Sequence, residues 1–78
     1  MTSIGQTIKN CREMQNMTQQ ELAQKVRVGL STIEKYESGE QVPSRQTILK
    51  LSTVLDIPAS ELLDQAFHTH SSTIDQGL

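Results

Sequence analysis

Between Thr18 and Gly39 the sequence has room for two helices of little more than two turns each, with only Arg27-Val28-Gly29 between them. No other feature limits the fold as sharply. Helices this short are marginal in water, so each must bury an apolar face against a neighbour. A turn this tight makes the second helix cross closely over the first. The start of the pair is written in Thr18-Gln19-Gln20-Glu21. There the Thr18 hydroxyl can accept from the Glu21 backbone N–H, while the Glu21 carboxylate accepts from the N–H of Thr18. The first of the two helices, about Gln19 to Val26, turns Leu22, Ala23 and Val26 inward. The second, about Leu30 to Glu37, turns Ile33 and Tyr36 inward, and Ser38-Gly39 stops it. Glycine is the usual residue beyond a helix C-terminus.

The rest of the chain reads as helices of the same scale. A first helix runs from about Ser3 to Gln15, with Ile4, Ile8 and Cys11 on one side and Asn16 as its stop. Val42-Pro43-Ser44 announces a fourth, with Ser44 as N-cap and Ile48, Leu51 and Leu55 as its apolar stripe. Asp56-Ile57-Pro58 breaks that helix, and a fifth carries Leu62 and Leu63. With one Tyr, one Phe and no Trp, the core must come from aliphatic side chains, which suits helices better than a β-sandwich. The expected class is all-α. One domain covers residues 1–66, and residues 67–78 form a polar, loosely ordered tail.

Length and composition narrow the function. A chain of 78 residues holds one small core, too small to enclose a substrate site. It offers no Gly-rich phosphate loop, no Ser/His/Asp set and no paired carboxylates. No enzyme activity, cofactor or small-molecule substrate is therefore expected. His68-Thr69-His70 lacks a third ligand at metal-binding spacing, so no metal is expected either. No apolar run reaches membrane-spanning length. The lone Cys11 cannot form an internal disulfide, which fits a cytoplasmic protein, and on an apolar face it reads as a small buried hydrophobe. The net charge is −2. Basic groups exceed acidic ones by one over residues 1–45, and acidic groups exceed basic ones by three over residues 46–78. That asymmetry is compatible with a front that faces nucleic acid and an acidic back.

Two short helices and a tight turn inside a five-helix chain suggest a DNA-reading unit. Ala23 adds to this, since the helix that crosses over it leaves space for a small side chain only. Thr18-Gln19-Gln20-Glu21-Leu22-Ala23, Ser31-Thr32-Ile33, Tyr36-Glu37-Ser38-Gly39 and Pro43-Ser44 occur in that order and spacing. Through them the chain resembles the Cro/cI-type (XRE family) helix-turn-helix domain over about residues 4–64.

The resemblance implies a compact five-helix, lambda-repressor-like domain that binds double-stranded DNA, usually as a two-fold dimer. Its third helix would lie in the major groove. The exposed positions at the start of that helix and one turn later are Leu30, Ser31 and Lys35, with Thr32 and Glu34 beside them. Lys35 suits O6 and N7 of guanine, Glu34 suits N4 of cytosine, and Leu30 suits a thymine methyl. Gln19, Gln20 and Arg45 match positions that meet the DNA backbone, and Lys25 and Arg27 are further candidates. Arg12 and Glu37 match positions that the family pairs in an internal salt bridge.

Two residues depart from the family pattern. Arg27 stands where the turn usually has Gly in a positive-φ conformation, at a cost on the order of 1 kcal/mol. Gly29 stands where a polar N-cap is usual. Two functions stay open. One is a regulator, a repressor of a palindromic operator acting as a homodimer through the fifth helix, Phe67 and the tail. The other is a protein-interaction module, such as an adaptor or a toxin-binding antitoxin, which the acidic balance favours.

Overall fold

A computed structural model describes residues 3–67 of the chain. The five helices are α1 (Ile4–Met14), α2 (Gln19–Val26), α3 (Leu30–Ser38), α4 (Arg45–Leu55) and α5 (Ala59–Phe67). No strand occurs among the described residues. Phe67, where the sequence suggested that the tail begins, is the last residue of α5. The remainder of that expected tail, with His68 and His70, lies outside the described residues.

Local chemistry sets most of the boundaries. Ser3 caps α1 by accepting from the Gln6 N–H at 3.2 Å, and Ser44 caps α4 by accepting from the Thr47 N–H at 3.3 Å. Thr18 and Glu21 form the reciprocal capping box at the start of α2, with N···O distances of 3.0 and 2.8 Å. Three ends are turned by non-glycine residues in the left-handed conformation: Asn16 (φ 58°), Arg27 (φ 62°) and Asp56 (φ 58°). Gly39 (φ 90°) turns the end of α3, where an L side chain would be strained.

Ile8, Leu22, Val26, Ile33, Ile48, Leu51 and Leu62 are buried completely, and Ile4, Ala23, Tyr36 and Leu55 almost so. They form one cluster around which α1 and α2 pack on α3, while α4 packs on α2 and α5. The inward stripes of α2, α3 and α4 are those the periodicity indicated. The stripe of α1 differs. It runs Ile4, Ile8, Arg12 at four-residue spacing, and Cys11 beside it is only half-buried against the cluster.

Gly5 explains how α1 comes so close to α3. A Cβ there would collide with the backbone carbonyl oxygen of Tyr36 and crowd that of Glu37. The two helices therefore touch backbone to backbone, a contact open only to glycine. Gln15 makes a second long-range tie. Its Nε2 donates to the Leu55 carbonyl at 2.7 Å, satisfying an oxygen that the end of α4 leaves open.

Candidate nucleic-acid interface

The helical period of α3 separates two faces. Ile33 and Tyr36 enter the core. Ser31 and Lys35, one turn apart, point the opposite way, and Glu34 flanks them; all three are exposed. Leu30 stands at the edge of this face, 41% exposed despite its apolar side chain. Thr32 lies nearer Tyr36 and is half-buried. The five side chains singled out from sequence thus divide into three on the outer face and two on its margins.

The N-cap residue of α3 supplies no side chain. Gly29 has an extended φ of −74° and makes no capping hydrogen bond, unlike Ser3, Thr18 and Ser44. The Thr32 and Ile33 N–H groups turn back to the Gly29 carbonyl at 3.0 and 3.2 Å, so the Leu30 and Ser31 N–H groups, at the positive end of the dipole, face water or an anion.

A network of charged and polar groups fixes how α3 is presented. Arg12 Nε donates to Glu37 Oε2 at 2.7 Å, and Nη2 donates to Glu37 Oε1 at 3.2 Å. Arg12 Nη1 donates to the Met17 carbonyl at 2.7 Å. The side chains of Arg12 and Glu37 are only 10% and 5% exposed. The hydrogen bond to Glu37 is the chief reason that the Arg12 pKa is raised above its ordinary value. Sequence resemblance paired these two residues; it did not reveal the third member. Gln19 Nε2 donates to Glu37 Oε1 at 3.0 Å. α1, the start of α2 and the end of α3 are thereby tied at one carboxylate, and Arg12 holds the turn after α1 as well.

That bond changes the meaning of Gln19. Read from sequence as a contact to the DNA backbone, it spends one of its two side-chain N–H donors inside the protein. Gln20, beside it, is exposed. Lys25 and Arg27 are exposed toward the far end of α2, and Arg27 occupies the left-handed C-cap position. Arg45 is exposed at the first position of α4, with its guanidinium carbon 5.7 Å from the centre of the Phe67 ring. Nothing in the local sequence links Arg45 to Phe67, because their contact depends on how α4 and α5 pack.

Among the described residues, no group of three or more His, Cys, Asp or Glu side chains could hold a metal ion. Burial first, and Glu61 second, push the Cys11 thiol pKa up, away from the reactive thiolate. No described helix is long and apolar enough to cross a membrane. A shallow open depression lined by Gln15, Met17, Lys25 and Val54 holds no acid–base pair.

A helix-turn-helix family model matches residues 8–62. Over 59 residues the chain is 34% identical to the cryptic phage CTXphi transcriptional repressor RstR of Vibrio cholerae, covering 76% of this chain and 53% of that protein. Among solved structures, the biofilm master regulator SinR in complex with DNA matches with a TM-score of 0.72 and 40% identity. That match covers 78% of this chain and 98% of that one. The SinR/SinI protein complex matches with a TM-score of 0.73 and 36% identity, covering 94% of this chain and 72% of that one. The chain spans about half the length of curated relatives such as RstR.

Proposed function

The chain belongs to the XRE-type helix-turn-helix family, and from that premise we propose that it is a sequence-specific DNA-binding transcriptional regulator, a cytoplasmic repressor that binds a palindromic operator as a homodimer. The observation that carries this reading is the outer face of α3. Ser31, Glu34 and Lys35 are exposed together there, while the opposite face is locked by Ile33, Tyr36 and the carboxylate of Glu37. A rigid helix with an unshielded polar face is what a major groove accepts.

Each side chain has a role in this reading. Lys35 donates to a guanine, Glu34 accepts from a cytosine N4, and Leu30 packs on a thymine methyl at the margin of the footprint. Ser31 and Thr32 hydrogen-bond to bases without selecting one. Gln20, Lys25, Arg27 and Arg45 meet phosphates. Gln19 meets the same backbone with its main-chain N–H at the first position of α2 and with the second N–H of its side-chain amide, the first serving Glu37. The two copies join through α5. The structure of SinR with DNA, at 40% identity, supports the DNA-binding part of this reading.

A second reading has support of its own. The chain carries a net charge of −2, and a relative of the same fold has been solved as the SinR/SinI protein complex. In that reading the domain binds a protein, as an adaptor or antitoxin does, either instead of DNA or together with it.

Two substitutions separate the readings. Lys35→Ala should relax base preference at one or two positions, with a loss of about 1–3 kcal/mol confined to the preferred sites. Arg45→Ala should weaken all duplexes alike and flatten the salt dependence by about one phosphate contact. Equilibrium binding to a set of duplexes across a salt series reads both effects. If neither variant changes binding, the DNA-reading assignment fails and the protein-binding one gains.

A further inference from the structure

Arg45 opens α4 and Phe67 closes α5, so the two residues come from opposite ends of a helical hairpin. Their separation of 5.7 Å, guanidinium carbon to ring centre, lies within the range of a cation–π contact. Among the described residues, the ring is a group that can steady this guanidinium. Phe67 remains 40% exposed, so the contact sits at the surface, beside the phosphate contact proposed above.

A cation–π contact draws the guanidinium charge toward the ring face and uses none of its hydrogen-bond donors. The N–H donors lie in its plane and stay available for a bidentate contact to phosphate. A long exposed arginine loses rotamer freedom when it binds DNA, and one already resting on a ring has lost part of it beforehand. The amide of Thr47 is taken by the Ser44 hydroxyl, while the first N–H groups of α4 remain at the positive end of its dipole, next to Arg45.

We infer that Phe67 is a positioning residue for DNA binding: its ring holds Arg45 with the N–H edge turned toward a phosphate, so that the end of α5 sets part of the affinity for the DNA backbone. This rests on the reading of Arg45 as a phosphate contact. It extends the binding machinery to a residue that touches no DNA and that the sequence pattern assigned to the tail.

The test is a double-mutant cycle on the full chain, read by anisotropy with a labelled mixed-sequence duplex over a salt series. Phe67→Leu, which keeps the apolar bulk and removes the ring, is expected to weaken binding about two- to five-fold, as the loss of a partly exposed cation–π contact should. It is expected to leave the salt slope unchanged, because the same phosphates are still neutralised. Phe67→Trp is expected to retain wild-type affinity. In an Arg45→Ala background, Phe67→Leu is expected to have no effect.

Two results would overturn the inference while leaving Arg45 as a phosphate contact. One is a silent Phe67→Leu beside a weakened Arg45→Ala. The other is an equal loss from Phe67→Leu with and without Arg45, which would place the action of Phe67 in folding or self-association. If Arg45→Ala itself leaves affinity and slope unchanged, the phosphate reading fails and the inference falls with it.

Discussion

Arg12 and Glu37 are charges kept largely from water, so their contribution depends on remaining together. Arg12 donates to both carboxylate oxygens and to the Met17 carbonyl, and Gln19 adds a donor to the same carboxylate. Glu37→Ala would leave the guanidinium enclosed without its counter-charge, at a cost of about 3 kcal/mol. For a domain of this size that lowers the thermal midpoint by more than about 10 °C. Replacing both residues with apolar ones of similar volume should recover much of the loss, since the pair also carries a desolvation penalty. Denaturant unfolding of the two single variants and the double variant measures the coupling, and a Glu37→Ala cost below about 1 kcal/mol would contradict the geometry described. The pH dependence has a definite sign. The folded-state pKa of Arg12 is raised, so its contribution is complete below the ordinary arginine pKa and is lost only as pH rises through the raised value. Neutral and mildly alkaline buffers should leave it intact.

At the level of elements, much of the fold could be read from short-range chemistry. The capping box at Thr18 and Glu21, the Ser44 cap, the glycine stop at Gly39 and the inward stripes of α2 to α4 are relations over a few residues, so local sequence carries them. Arg27 was recognisable as a left-handed residue because the family has glycine there, and its φ is 62°. What remained hidden depends on helices meeting. Gly5 looks like a weak point in a helix until the Tyr36 carbonyl is placed against it. The Gln15 bond to Leu55, the Gln19 bond to Glu37 and the approach of Arg45 to the Phe67 ring likewise join residues far apart in the chain. Gly5 gives the element-scale prediction. In an ordinary helix interior Gly→Ala stabilises by about 0.5–1 kcal/mol. Here Gly5→Ala should destabilise by about 1–3 kcal/mol, because α1 must lift away from α3. Chemical denaturation reads the sign directly, and a stabilised variant would mean that the two backbones are not in contact.

For the whole molecule, a small aliphatic core serves to hold one helix face outward. α1, α2 and the Glu37 carboxylate fix the position of α3, and α4 and α5 close the other side. The acidic excess lies after residue 45, leaving the first half slightly basic, which suits a domain that meets a polyanion with one side only. The individual side chains on α3 were legible in the sequence, but their ranking was not. Ser31, Glu34 and Lys35 share the outer face, whereas Leu30 and Thr32 stand on its margins, and only the observed orientation of the helix separates them.

In the proposed function this face reads DNA sequence. The most direct measurement is selection of bound duplexes from a random library by the purified chain, run in parallel with Lys35→Ala. The expected result is an enriched inverted repeat with half-sites about one helical turn apart, and a relaxed preference at one or two positions of each half-site for the variant. Absence of enrichment at low salt, where electrostatic binding to any duplex is strongest, would contradict it and point to a protein as the ligand of this surface.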